Sequence, residues 1–205
     1  MVDDRTEIVI EAFARSAQSY AVAAFRLAQE PHAVRIAHHT HSPSNMIAGI
    51  RRRTPCLLII RRPEDAILSY VIKTPATPVP AAVRGYVRFH RTLLAHRSDL
   101  VVGTFEQITD DFASVIARVN ERFGSSFGEF EPTEANVARV FREIDDDWKK
   151  RGRNEDERER GVPRPSRTRE QQKARMLAAY LDPRLRASRE RADWLYATFA
   201  SLAGA

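Results

Sequence analysis

The hydrophobic positions of this 205-residue chain fall into two alternating kinds of run. The first kind is short and continuous. Glu7–Phe13 is apolar at its centre, Cys56-Leu57-Leu58-Ile59-Ile60 is apolar throughout, Asp99–Phe105 carries Leu100-Val101-Val102, and Ala33–His39 is a weaker run. Such runs fit strands buried on both faces, as in a parallel sheet. The second kind places apolar residues three or four apart and predicts helices. Tyr20–Gln29 is alanine-rich and helical by propensity. Pro63 suits a first helical turn, with Ile67, Tyr70 and Val71 facing inward. Val83, Tyr86, Val87, His90, Leu93 and Leu94 share one face; Phe112, Val115, Ile116, Val119 and Phe123 share another, which Gly124 can close. Ser42 and Pro43 mark a further helix start. Strands alternating with helices predict an α/β fold, a three-layer α/β/α arrangement around a central parallel sheet.

The pattern changes from about Glu129. Residues 145–168 are highly charged, and Gly161, Pro163 and Pro165 interrupt any regular element, so a mobile or ligand-ordered loop is expected there. Thr168 with Gln171 can form a capping box for a helix through Leu181. Asp182-Pro183 then opens a last helix that turns Leu185, Ala192, Leu195, Tyr196, Phe199 and Leu202 to the core. The expected organisation is one domain over 1–205, with a core at 7–125 and C-terminal helices at 168–203.

Composition narrows the class. With 43% hydrophobic residues the chain can bury a full core. A net charge of +6 and a pI near 9.9 favour an anionic partner: nucleic acid, phospholipid or a phosphorylated small molecule. The single cysteine, Cys56, sits in an apolar run and reads as a small buried hydrophobe, which suits a reducing compartment. No stretch approaches the ~20 apolar residues of a membrane span, and the charged start Met1–Arg5 lacks a signal peptide's apolar centre. A cytoplasmic location is expected.

Candidate chemistry lies where strands enter helices, because open α/β sheets bind ligands beyond the carboxyl ends of their strands. Three junctions qualify. Ala14-Arg15-Ser16-Ala17-Gln18-Ser19 offers a cation, two hydroxyls and helix-start amides to a phosphate, although read alone it fits an ordinary βα turn better. It lacks the Gly-Lys-Ser/Thr ending of a Walker A loop. Arg61-Arg62-Pro63, with Ser69 two turns on, offers a second anion site or a surface salt bridge. His38-His39-Thr40-His41-Ser42-Pro43 offers a general base near neutral pH or polar turn residues; no cysteine or carboxylate follows at zinc-ligand spacing, so no metal is expected.

Taken in order, the three junctions resemble the sulfotransferases that use 3′-phosphoadenosine 5′-phosphosulfate (PAPS). In that family the first strand leads into a loop reading Pro-Lys-Ser-Gly-Thr-Thr-Trp; here it is Ala14-Arg15-Ser16-Ala17-Gln18-Ser19-Tyr20. The family's Arg-Asn-Pro-Lys-Asp, with a serine eight residues after the arginine, is matched by Arg61-Arg62-Pro63-Glu64-Asp65 and Ser69-Tyr70. Its Lys-Thr-His-x-Pro is matched by His39-Thr40-His41-Ser42-Pro43, and its Tyr-Glu-Asp by Phe105-Glu106-Gln107. The resemblance covers residues 7–125. It departs at Ala17, where the family has glycine, at Arg15 and His39, where it has lysine, and in the C-terminal Arg-Lys-Gly segment, for which Arg164, Arg167 and Arg169 are the available cations.

What the resemblance implies is transfer of a sulfuryl group from PAPS, leaving adenosine 3′,5′-bisphosphate (PAP), to a hydroxyl or amine of a small molecule or glycan. His41 inherits the base. Arg15 inherits stabilisation of the leaving phosphate, helped by Ser16, Ser19 and the loop amides around Ala17 and Gln18. Arg61 and Ser69 inherit the 3′-phosphate, and Tyr20 and Phe105 the adenine. Arg167 and Arg169 would add cations from the charged segment. An acceptor pocket is expected around Thr74–Val79 and beyond Glu129. A nucleotide-binding relative with impaired catalysis and a P-loop-like kinase are the alternatives. A third, a nucleic-acid binder using Arg151–Arg175, is weakened by Glu155, Asp156, Glu157 and Glu159 within that segment.

Overall fold

The computed structural model describes residues 1–150, Gly161 and 167–204. Its sheet is built from β1 (Ile8–Ala12), β2 (Ile36–His38), β3 (Cys56–Ile60) and β4 (Val101–Thr104), all parallel, in the order β2-β1-β3-β4. The α/β expectation therefore holds, with four parallel strands among the described residues. Every residue of β1 and β3 is buried, which is why their runs are nearly uninterrupted by polar residues.

Alternation along the strands divides the core in two. Val9, Cys56, Leu58, Ile60 and Val102 face one way, against α2 (Pro43–Arg51), α3 (Pro63–Lys73), α4 (Val79–Leu93) and α9 (Arg186–Ala200). Ile8, Ile10, Ala12, Leu57, Ile59 and Val101 face the other, against α1 (Gln18–Ala28), α5 (Phe105–Asp110), α6 (Phe112–Phe123) and α7 (Glu134–Lys150). A period of two thus feeds two helical layers from one sheet. Helix α8 (Arg167–Tyr180) packs on α3. No helix among the described residues is long and apolar enough to cross a membrane.

Strand order fixes where a ligand can sit. The chain leaves β1 toward β2 on one side and leaves β3 toward β4 on the other, so the switch point lies between β1 and β3. In open α/β sheets the crevice outside the carboxyl ends at that point is the binding position.

Several local expectations are corrected. Helix α1 begins at Gln18 rather than Tyr20, with Ala17 as its N-cap in the left-handed region (φ 67). Strand β2 spans Ile36–His38 only. Phe105 does not end β4 but starts α5, because Thr104 and Gln107 form a capping box: Gln107 N donates to Thr104 Oγ1 (3.2 Å) and Thr104 N to Gln107 Oε1 (3.0 Å). Residues 145–150 are not loop but the end of α7. There Val137, Val140, Phe141, Ile144 and Trp148 repeat at three-to-four spacing and pack beside α1, a stripe obscured in the sequence by the charges between them. Thr168 lies inside α8, which already includes Arg167, so it is not a cap. The rest of the expected charged loop, including Arg164, lies outside the described residues.

Candidate active site

A cavity of about 560 Å³ opens at the β1–β3 switch point. Of the residues singled out in the sequence, Arg15, Ala17, Gln18, Ser19, Tyr20, His41, Arg61, Ser69, Phe105 and Arg169 line it. Ser16 is buried and Arg167 is exposed; neither lines the cavity. Thr74–Val79 does not line it either, whereas Val137 and Phe141 from α7 do.

The turn after β1 carries two non-glycine residues at positive φ, Arg15 (73°) and Ala17 (67°). Each such residue costs about 1–2 kcal/mol, a strain found where surrounding structure over-determines the backbone. Here Arg61 supplies one constraint, donating from Nη1 to the carbonyl of Arg15 (3.0 Å). Arg61 is itself fixed: its guanidinium lies 4.0 Å from the Phe105 ring centroid, and its carbonyl accepts from Tyr86 Oη (2.8 Å). Phe105 is therefore the platform for Arg61.

The sequence separated Arg15 from Arg61 and Ser69 as two anion sites. The structure brings them to one wall. Arg15 Nε donates to Ser69 Oγ (3.0 Å) and Nη1 to the carbonyl of Gly161 (2.5 Å). Gly161 is a glycine for a reason of space: a Cβ there would lie 2.0 Å from the Trp148 indole. Burial first, and then the charges of Arg169 and Arg61, push the Arg15 pKa down to about 10. Arg61 is also lowered, chiefly by burial, with Asp65, Glu106 and Glu170 acting in the opposite direction. Arg15 thus remains a cation at neutral pH in a desolvated place where its strongest charged neighbours are like-signed. Lys73 and Lys173 add to the cavity wall; Lys173 pairs with Asp65 (3.3 Å) and Glu170 (3.0 Å).

The three histidines after β2 separate into distinct roles through their hydrogen bonds. Arg26 can only donate, so His38 Nε2, 3.0 Å from Arg26 Nη2, accepts. The His38 proton is then on Nδ1, which donates to His39 Nδ1 (2.5 Å). His39 in turn carries its proton on Nε2, which donates to Ser19 Oγ (3.0 Å). His38 is held neutral, its pKa pushed down to about 4 by burial and then by Arg26. The chain ends by leaving the Ser19 hydroxyl proton available to the cavity. His39 is consequently no base toward Ser19.

His41 differs. Its Nδ1 lies 3.1 Å from the carbonyl of Ala12, which can only accept, so Nδ1 carries the proton and Nε2 keeps a lone pair. Its pKa is lowered, first by burial; the Ala12 hydrogen bond and Glu11 oppose the shift, and Lys73 and Arg15 add to it. His41 lines the cavity as a neutral imidazole at pH 7.

Tyr20 is buried, its ring packed edge-on to Phe130 (6.3 Å) and tilted to Phe141 (5.8 Å). Sequence reasoning passed over Glu11, a carboxylate that is 0% exposed in the middle of the sheet. The signal was available: it is the one charged residue in the run Ile8-Val9-Ile10-Glu11-Ala12. Among the described residues no group of three or more histidine, cysteine or acidic side chains is arranged to hold a metal ion.

No family model matches the chain, and no curated protein does. Among solved structures, mouse sulfotransferase SULT7A1 complexed with PAP aligns over 92% of this chain and 90% of its own, at 11% identity and a TM-score of 0.47, a likeness too distant to assign residues or chemistry.

Proposed function

We propose that this chain is a PAPS-dependent sulfotransferase acting on a hydroxyl or amine acceptor. The observation that carries the reading is the cluster of Arg15, Arg61 and Arg169 with Ser69 on one wall of the switch-point cavity. Arg15 is desolvated and meets the like charges of Arg169 and Arg61, so an anion bound beside it lowers that cost, and a nucleotide with phosphate groups on both sides of its ribose offers such anions. PAPS supplies the activated sulfuryl group when bound. Every other task falls to side chains of this chain.

Arg61 and Ser69 hold the 3′-phosphate. Arg15 and Arg169 hold negative charge on the same wall, and the Ser19 hydroxyl, oriented by His39, donates to a phosphate or sulfate oxygen. His41 Nε2 takes the acceptor's proton; Ala12 keeps Nδ1–H in place so that only one tautomer faces the task. Such a site works by position and fixed charge. Val137, Phe141 and Ile72 supply an apolar border for the acceptor.

Isothermal titration of the full chain with PAP tests the reading. Saturable binding is expected, weakened about 10- to 100-fold in Arg61→Ala, the loss of one charged hydrogen-bond donor. Absent binding, or equal binding of 5′-AMP, refutes it. Turnover is read as sulfuryl transfer from PAPS to a panel of hydroxyl and amine acceptors.

A further inference from the structure

We propose that Glu11 is a positioning residue for the base, holding the turn that carries His41 and through it the direction of the imidazole. This rests on the assignment of His41 as base. The β1–β2 ladder runs from Ile8↔Ile36 to Ile10↔His38 and stops there. Beyond it, the backbone N–H groups of Thr40 and His41 have no strand partner, and the Glu11 side chain takes them up. Thr40 N donates to Oε1 (2.9 Å) and His41 N to Oε2 (3.1 Å). Thr40 Oγ1 (2.6 Å) and Asn45 Nδ2 (2.9 Å) also donate to Oε1, and Gln18 Nε2 (3.1 Å) to Oε2. Five donors from three elements converge on one buried carboxylate.

The turn needs such a clamp. His39 (φ 60) and His41 (φ 49) both occupy the left-handed region without being glycine. Glu11 fixes the backbone of His41, and the carbonyl of its neighbour Ala12 fixes the ring. A carboxylate also does something an amide cannot: its charge opposes those of Lys73 and Arg15, the two cations acting on His41. Among the described residues His39 is a further titratable neighbour, its ring centroid 5.9 Å from that of His41. Gln18, from the anion-binding turn, shares the same carboxylate, so Glu11 ties base and anion loop into one unit.

The test is Glu11→Gln in the 205-residue chain, near in shape but without charge. Long-range proton–nitrogen NMR of the His41 side chain reads tautomer and titration; steady-state kinetics and PAP titration read function. In the native protein the Nδ1–H tautomer is expected. In Glu11→Gln the His41 titration moves to lower pH, the single tautomer is lost, and kcat falls at least tenfold with PAP affinity within about threefold. An unchanged tautomer and titration in Glu11→Gln overturns the proposal, whatever the nucleotide result. Native protein that neither binds PAP nor turns over refutes the sulfotransferase reading instead, and the NMR comparison still decides the role of Glu11. Should Glu11→Gln not fold, Thr40→Val removes one donor and leaves the charge. It is expected to loosen the tautomer and lower kcat severalfold with the titration in place, and native behaviour in both would overturn the proposal.

Discussion

Replacing Arg15 by methionine should make the unliganded protein slightly more stable and destroy its response to ligand. Methionine keeps an unbranched stem and leaves the strained φ of 73° as it was. The Arg15 pKa of about 10, against an ordinary 12.5, corresponds to a cost on the order of 3 kcal/mol for the charged form in the fold, at about 1.4 kcal/mol per tenfold. Because the folded value is depressed, that cost is fully present at pH 7, below both values, and is relieved only as pH rises through 10 toward 12.5. Against it stand two hydrogen bonds, to Ser69 and Gly161. Ser69 lines the cavity, where water can replace its lost partner, so the two together offset about 2 kcal/mol. The balance is about 1 kcal/mol in favour of Arg15→Met, or a Tm higher by roughly 2–4 °C for a chain of this size. Ligand reverses the order. At a hundredfold excess over Kd, PAP should stabilise the native protein by about 2.7 kcal/mol, a Tm rise of roughly 5–11 °C. Differential scanning fluorimetry with and without PAP reads both numbers. A variant that melts below the native protein without ligand, yet keeps the PAP-induced rise, would refute the argument that Arg15 is a desolvated cation awaiting an anion.

Three further outcomes are expected. His41→Ala should lower kcat by about 10²–10⁴ with PAP binding nearly unchanged, and because the His41 pKa is lowered, the acid limb of native kcat/KM should fall below pH 6.5; retained turnover removes His41 from the mechanism. His90 is fully buried against Tyr86, Phe13, Phe89 and Phe199 with its pKa pushed down to about 4, so it is neutral in the fold and protonates only on unfolding between pH 6.5 and 4. Stability should fall across that window, and His90→Phe should lessen the loss between pH 7 and 5 by about 2 kcal/mol in acid–urea titrations; an equal loss in both proteins would show that His90 is not a buried neutral group. Gly124 closes α6 at φ 63 with nothing within 4 Å of a built Cβ, so Gly124→Ala carries a backbone penalty alone, about 1 kcal/mol or a Tm lower by roughly 2–4 °C; an unchanged Tm contradicts the left-handed cap.

Much of the architecture could be read from local pattern because local pattern is what builds it. The apolar runs of β1 and β3 announce strands covered on both faces, and Ser42-Pro43 and Gly124 punctuate helices as their chemistry dictates. Errors came where charge hides geometry. In α7 five apolar positions are spaced by acidic and basic residues, so its last turn, 145–150, reads as the start of a loop although the helix packs against α1. At Thr104 the same residues fit a strand end and a capping box, and the box sets the boundary because both of its hydrogen bonds form.

The residue types at the strand ends can be named without a fold: arginines after β1 and β3, histidines after β2, and a serine two turns into α3. These are properties of order along the chain, and strand-to-helix punctuation is enough to place them. How they combine is a matter of the fold. Strand order puts β1 beside β3, so Arg15, Arg61 and Ser69 meet on one wall although Arg15 and Ser69 stand 54 positions apart in the chain. Hydrogen bonds to groups that can only donate or only accept fix the histidine protons, leaving a lone pair on His41 Nε2 and committing His39 to Ser19. Glu11 shows why no local reading suffices: its five donors come from four residues between 7 and 34 positions away, and a buried carboxylate is stable only where the fold delivers donors from every side.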